Sequence, residues 1–461
     1  MEQMTVQDLL LASKGRLLWG DSKKHVEHIK LDSREAAPGD LFVPLHGEKV
    51  DSHKFIPQVI EAGVACVFTS EHDAVPEELK KETAIIRVDD TIKALQDVGG
   101  YMRARLTLPL VGVTGSVGKT TTREMIAAAL SAAYRVYKTP GNSNSQVGVP
   151  ITISEISKED QVGVIELGMS EPGELTVIAK ITRPQIAVIT NIGITHIEQL
   201  GSRENIYREK MTIQDGLSAD GVLILNGDDD MLCRTKGKDG VKTLYYGRGE
   251  NCDFRAVDIH TLENGMEFTA VHGSERERIV LNVLGEHNVM NAMSAIAVCT
   301  ELGMTMKQAA EGLLSFTGFK NRQQIHVGKK FTILDDSYNA SPASMKASLQ
   351  VFKTLCPGAR HIAVLADMKE LGENNLAYHR EVGEYAGKIG IDMAVTLGEA
   401  CHSLAEGIHS VSNIPVHEFL DKKELTKWLE KEVREGDCLL FKGSNSIGLF
   451  TIAAEFIAKA D

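Results

Sequence analysis

Val111-Gly-Val-Thr-Gly-Ser-Val-Gly-Lys-Thr-Thr-Thr122 is the stretch on which the reading of this chain turns. Leu108 to Val113 reads as a buried strand, the next residues as a glycine-rich turn, and Lys119 as a helix start. Past the turn, Met125, Ile126, Ala129, Leu130 and Ala133 recur at the spacings of one helical face. Such a turn aims successive backbone N–H groups at one place, and the helix N-terminus adds partial positive charge. Gly115 and Gly118 let the backbone approach phosphate oxygens with no Cβ in the way. Lys119 can reach the terminal phosphates, and the Thr120 hydroxyl can coordinate Mg²⁺. The eight-residue phosphate-loop pattern asks for glycine at 113, where this chain has Val113, so the shorter Gly115-x-x-Gly118-Lys119-Thr120 is what stands. A bare strand–helix turn needs no Lys-Thr after its glycines, and the loop is expected to bind a nucleoside triphosphate.

The rest of the chain bounds that reading. With 461 residues it is expected to hold about three domains, because a single core seldom grows past roughly 250–300 residues. Cys66, Cys233, Cys252, Cys299, Cys356, Cys401 and Cys438 show no paired spacing, which argues against a zinc site or disulfide framework and fits a reducing cytoplasm. No apolar run approaches the length of a membrane span, and Met1-Glu-Gln-Met-Thr5 starts no export signal. A net charge of −13 argues against nonspecific nucleic-acid binding, so an anionic ligand must meet locally placed cations and helix N-termini.

Residues 1–104 alternate short strand and helix signals and are expected to form a first domain. Within it, Asp32-Ser33-Arg34 offers a hydroxyl and a guanidinium suited to a diphosphate, or only a surface ion pair in a loop. Leu41 to Leu45 reads as a strand, and Glu61-Ala-Gly63 as a helix end feeding a strand that ends at Phe68.

Residues 105–317 alternate strands and helices in the pattern of a mostly parallel sheet, with polar residues at the carboxyl ends of strands. Asn142 and Asn144 lie in a polar turn too long for a mere connector. Glu166 interrupts an apolar strand and is either a metal ligand or a buried charge needing a partner. His196 lies just past a strand end, where a lone histidine is ordinarily a polar surface residue, and Lys210 lies on a helix from Arg203. Asn288 and Asn291 share a helix face and either bond a base edge or cap the helix start. Residues 318–461 predict a second, smaller doubly wound sheet, with Pro342 in the first turn of a helix.

Together these segments resemble the Mur ligase family of ATP-dependent amide-forming enzymes in peptidoglycan precursor synthesis, over nearly the whole chain. The likeness rests on Asp32-Ser-Arg34, Pro38-Gly-Asp-Leu-Phe42, Thr114-Gly-Ser-Val-Gly-Lys-Thr120, Asn142-Ser-Asn144 and Glu166-Leu-Gly-Met169 with Pro172-Gly-Glu174. It continues through Thr190-Asn-Ile-Gly193 with His196, Lys210, His287-Asn288 with Asn291, and Asp335-Asp-Ser-Tyr-Asn339 with Pro342. Asp367-Met-Lys-Glu-Leu-Gly372 and Lys442-Gly-Ser444 are similar to the branch that adds D-alanyl-D-alanine to UDP-N-acetylmuramoyl-tripeptide, and the Asp-Asn-Pro-Arg motif of the diaminopimelate-adding branch is missing. Asn445 stands where that branch commonly has arginine, and Ser145-Gln146 replaces the usual asparagine-rich continuation.

The resemblance implies an α/β fold of three domains: a small UDP-binding domain, a central phosphate-loop domain and a C-terminal Rossmann-like domain. It implies phosphoryl transfer from ATP to a substrate carboxylate, then attack of an amine on the acyl phosphate. ATP contacts would come from Gly115, Ser116, Val117, Gly118, Lys119, Thr120, Thr121, His287, Asn288, Asn291, Arg322, Asp336 and Asn339. Ser33 and Arg34, with Lys49 and His53, would line the UDP site, and Asn142 and Asn144 would also meet substrate. Thr120 with Glu166 would hold one Mg²⁺, and His196 with Lys210, as its carbamate, a second. Lys119, His196 and Lys210 are the expected catalytic residues, in a cytoplasmic monomer. A ligase of the same family adding a single amino acid is the competing reading. A nucleotide switch using the same loop would leave Glu166, His196 and Lys210 without a role.

Overall fold

The computed structural model describes residues 4–47 and 50–460, in which three larger sheets follow one another along the chain, beside a two-stranded ribbon of Met4–Thr5 and His25–Val26. The first has five strands, in the order Arg16–Trp19, Ala84–Arg87, Cys66–Thr69, Leu41–Phe42 and Ile29–Lys30. All its pairings are parallel except that of Arg16–Trp19. The expected strand from Leu41 to Leu45 is thus only two residues long.

The second sheet has nine strands, in the order Glu275–Leu281, Gly265–His272, Phe254–Leu262, Lys242–Gly247, Val222–Asn226, Ile186–Ile189, Leu110–Thr114, Val162–Glu166 and Val136–Lys138. From Val136–Lys138 to Phe254–Leu262 every pairing is parallel. These strands are Val- and Ile-rich because helices cover both faces. Leu110–Thr114 is buried along its whole length. The last three strands form an antiparallel edge that the strand–helix alternation does not foretell, although Glu263-Asn264-Gly265 at the first turn is a hairpin signal.

The third sheet runs Gln324–Val327, Thr332–Asp335, Cys438–Lys442, His361–Ala366, Met393–Leu397 and Val416–Phe419, parallel but for its first pairing. The helix Pro342–Thr354 begins at a Ser341 cap with Pro342 in its first turn, as the sequence predicts. The fold is therefore α/β with mostly parallel sheets.

Two placements matter for the site. Leu110–Thr114 lies between Val162–Glu166 and Ile186–Ile189, so the chain reverses its direction of winding at this strand. Open α/β sheets bind ligands at the carboxyl ends of strands flanking such a reversal. In the third sheet the last strand, Cys438–Lys442, is inserted between Thr332–Asp335 and His361–Ala366. That insertion gathers Asp335, Lys442 and Asp367 at one edge.

The helix Thr91–Ala104 docks on the second sheet's helices. Arg103 donates from Nε to Thr182 O (2.6 Å) and from Nη2 to Arg183 O (3.0 Å). At Gly99 the backbones pass so closely that a Cβ would lie 2.8 Å from Pro150 Cα. No helix among the described residues is long and apolar enough to cross a membrane.

Candidate active site

The phosphate loop is fastened to the neighbouring strand end. Val117 N–H donates to Asn191 Oδ1 (2.9 Å), Thr190 Oγ1 donates to Val117 O (2.6 Å), and Gly193 N–H donates to Ser116 Oγ (2.8 Å). Gly115 has φ +150°, and a Cβ there would sit 1.8 Å from Thr190 Oγ1, so no other residue fits. Gly118, at φ +86°, starts the helix Lys119–Leu130. Lys119 Nζ donates to Gly115 O at 2.8 Å, folded back across the loop. Burial lowers the pKa of this amine and Arg322 lowers it further, while Glu166 and Glu370 pull the other way.

Glu166, the last residue of its strand, is buried beside the loop. Oε1 accepts from Asn144 Nδ2 (2.7 Å) and Thr120 Oγ1 (3.3 Å), and Oε2 from Arg123 Nη1 (3.0 Å). Arg123 is fully buried and also donates to Glu124 Oε1 and Gly141 O. The buried carboxylate is thus paired, as a charge out of water must be. Sequence reasoning missed Arg123, which reads as one more polar residue on a helix.

A cleft of about 760 Å³ opens over the loop and is closed on its far side by the C-terminal domain. Ser116, Val117, Gly118, Lys119, Thr120, Thr121, Asn142, Asn144, Glu166, His196, His287, Asn288, Asn291, Arg322, Asp336 and Asn339 all line it. Asn291 Oδ1 accepts from Thr122 Oγ1 (3.1 Å), and its Nδ2 donates to Asn288 Oδ1 (3.1 Å). His287 Nε2 meets Gln323 Oε1 at 2.9 Å, which ties the two domains, and burial lowers its pKa. The Arg322 guanidinium stacks on Tyr338 (4.2 Å), and its Nε is buried with no hydrogen-bond partner among the described residues, as is Thr195 Oγ1. Orphaned polar atoms on a cleft wall fit a polar ligand such as a triphosphate.

Asp336 accepts from Lys442 Nζ (2.6 Å), Gln323 N–H (3.2 Å) and Ser348 Oγ. Lys442 also donates to Asn339 O (3.0 Å). Asn445 Nδ2 donates to Tyr338 O (3.2 Å), so its amide braces the Asp335–Asn339 turn. Lys442, which the sequence marked only as part of a loop, lies 106 residues from Asp336 and carries no local signal of that pairing.

Lys210 is 1% exposed, and its amine makes no hydrogen bond or ion pair among the described residues. Burial pushes its pKa well below the ordinary lysine value, and repulsion from Lys119 adds to this. The preceding Glu209 accepts from Gly173 N–H (2.9 Å) and Leu175 N–H (3.1 Å), which fixes this helix against the start of Glu174–Thr182. His196 has φ +64°, and its Nδ1 lies 2.5 Å from Glu370 Oε2 of the C-terminal domain, off the angle of a hydrogen bond. The contacts with His196 and Lys119 hold the Glu370 carboxyl below its usual range. For Mg²⁺, the donor set fits at Thr120 and Glu166, two hard oxygens 3.3 Å apart on the cleft wall. An ammonium on Lys210 does not fit a second cation, which would need hard oxygen ligands such as a carbamate's.

In the N-terminal domain, Arg34 pairs with Asp32 through Nε (2.9 Å) and is exposed, with Ser33 half-buried beside it. His53 is buried, its Nδ1 2.7 Å from Asp51 Oδ1 and its Nε2 accepting from Ser70 N–H (3.2 Å). Both its ring nitrogens are therefore occupied within the domain. Lys49 lies outside the described residues. Among the described residues, none before Ser116 lines the cleft.

Comparison with known proteins matches three family models in succession. Residues 25–100 match the Mur ligase family catalytic domain, 113–299 the Mur ligase middle domain, and 321–445 the Mur ligase glutamate ligase domain. The UDP-N-acetylmuramoyl-tripeptide–D-alanyl-D-alanine ligase of Bacillus subtilis (strain 168) is 38% identical, over 99% of each chain. A crystal structure of MurF from Acinetobacter baumannii superposes with a TM-score of 0.89 at 30% identity, covering 98% of both chains. MurF ligase from Thermotoga maritima in complex with ADP gives 0.83 at 26% identity, over 94% of this chain and 98% of that one. With the phosphate loop, its buried carboxylate and the third-domain arm meeting across one cleft, these full-length likenesses leave one conclusion: the chain belongs to the Mur ligase family.

Proposed function

We infer that this chain ligates D-alanyl-D-alanine to UDP-N-acetylmuramoyl-tripeptide with ATP, giving the UDP-linked pentapeptide of peptidoglycan synthesis. The observation that carries the reading is the cleft itself. Lys119, Thr120 and Glu166 on one wall face Arg322, Asp336 and Asn339 on the other, in a chain similar over 99% of its length to the UDP-N-acetylmuramoyl-tripeptide–D-alanyl-D-alanine ligase of B. subtilis.

A carboxylate does not react with an amine at neutral pH until one oxygen becomes a good leaving group. The γ-phosphoryl passes to the substrate carboxylate, breaking its bond to the β-phosphate and forming an acyl phosphate with release of ADP. The dipeptide amine attacks the acyl carbon, loses a proton, and inorganic phosphate departs. Little covalent work falls to the protein in the first step, so placement and charge dominate. The backbone N–H groups of the loop and Lys119 hold the β- and γ-phosphates. Arg322 approaches from the C-terminal side, and His287, Asn288 and Asn291 lie on the adenine side. Mg²⁺ held by Thr120 and Glu166, and a second ion held by His196 and carbamylated Lys210, would supply charge neutralisation on the phosphate oxygens.

The N-terminal domain (residues 1–104) takes the UDP end in this reading, through Ser33 and Arg34, with Lys49 and His53 as further candidate contacts. Asn144, holding Glu166, serves substrate indirectly. The central (105–317) and C-terminal (318–461) domains share ATP, in a cytoplasmic monomer. The test supplies ATP, UDP-N-acetylmuramoyl-tripeptide and candidate amines, and weighs the product. A mass increase of one D-alanyl-D-alanine unit is expected. Ligation of a single amino acid, with no dipeptide product, would assign the chain to another branch.

A further inference from the structure

Glu370 comes from the turn after the strand His361–Ala366, in the C-terminal domain, and meets His196 of the central domain. The turn is seated on the central domain by more than this contact. Glu198 N–H donates to Glu370 O (3.4 Å), and at Gly372 (φ +60°) a Cβ would stand 3.5 Å from Glu198 Cα. Ile194 packs on the core of the C-terminal domain. The two residues that meet are both held in the left-handed region, His196 at φ +64° and Glu370 at +63°. Non-glycine residues stay there only where the surroundings enforce it, and such positions gather at functional sites.

The His196 Nδ1 is buried with no well-aligned hydrogen bond among the described residues, and the Glu370 carboxylate is its neighbouring acceptor at 2.5 Å. A small turn of either side chain brings the two into line. A histidine that ligates a metal through one ring nitrogen characteristically gives the other N–H to a carboxylate, which fixes both tautomer and ring orientation. We propose that Glu370 is a positioning residue for His196, holding its Nδ1–H so that Nε2 faces the reacting phosphates, and that it does so only while the C-terminal domain is docked. Ligand geometry at His196 is thereby completed by the domain that also brings Arg322 and Asp336 to ATP, so the site is assembled by closure. This rests on the reading of His196 as a ligand. A half-exposed ion pair with no function would be worth little, and the two cases separate by experiment.

The full-length chain is compared with Glu370→Gln, His196→Ala and the double variant. Glu370→Gln is expected to lower kcat about 10–100-fold with the three KM values changed less than about threefold. In the His196→Ala background the same change should cost almost nothing more, because the two act as one unit. Ring-nitrogen NMR of protein carrying ¹⁵N-histidine, with His196 assigned by its loss in His196→Ala, should show its resonances move in Glu370→Gln. A Glu370→Gln loss that multiplies in full with that of His196→Ala, or His196 resonances that do not move, overturns the proposal. A fully active His196→Ala overturns the ligand reading and this one with it. An inactive His196→Ala beside a wild-type rate for Glu370→Gln overturns this one alone.

Discussion

Lys210 poses the sharpest question at the scale of single residues. A lysine buried to 1% exposure with no ion pair among the described residues is a poor structural choice, since only the neighbouring Glu209 charge opposes its desolvation. Burial and the nearby Lys119 both favour the neutral amine, the form that reacts with CO₂. A carbamate would turn the same side chain into an anion with two hard oxygens, suited to Mg²⁺ and attractive to Lys119. Lys210→Ala is therefore expected to lose ligation, by about 10²–10³ or more for a group acting on transferring charge. Short carboxylic acids filling the vacated space should restore part of it. An active Lys210→Ala variant needing no such supplement would leave the lysine unmodified.

At the scale of elements, the turn that carries Glu370 is held by the helix Asn375–Ile389. His379 on that helix is buried, with Nδ1 on Asn375 O (2.9 Å) and Nε2 accepting from Met368 N–H (3.0 Å). That pattern needs a neutral ring, and burial does lower the His379 pKa. As pH falls through about 6.5 the unfolded chain gains a proton that the folded chain refuses, so stability present above that pH is lost below it. His287, also buried with a lowered pKa, acts in the same direction. The melting temperature is expected to be lower at about pH 5.5 than at about pH 7.5, and His379→Gln should shrink the difference. An unchanged difference in the variant would show that His379 does not titrate with folding.

Across the whole molecule, the ATP cleft has two walls from two domains, joined by polar ties and a small apolar contact. His287 meets Gln323 and His196 meets Glu370, while Ile194 and Leu284 pack on the C-terminal core. Interfaces of this kind open readily, and ligands shared between domains close them. ATP together with the UDP-tripeptide is expected to reduce the radius of gyration in solution scattering, towards the docked arrangement seen here. Profiles that coincide with and without both ligands, and that fit an undocked C-terminal domain, would remove closure from the mechanism.

The sequence by itself determined the parts whose physics is local. Gly115, Gly118, Lys119 and Thr120 sit within six residues, and their chemistry follows from backbone freedom and a helix start. Strand and helix periodicity made the α/β alternation readable, an acid interrupting an apolar strand marked Glu166, and a polar position just past a strand end marked His196. Glu263-Asn264-Gly265 shows that an available signal can still be passed over when alternation dominates the reading. Tertiary structure alone decided which distant residues meet. Inserting Cys438–Lys442 between two earlier strands brings Lys442 onto Asp336, and the docking of two domains sets Glu370 against His196. Arg123 is tied to Glu166 across 43 positions of chain because two strands pair in parallel beside the helix that carries it. Such contacts depend on strand order and domain packing, which sum many weak long-range terms, and no short window of sequence contains them.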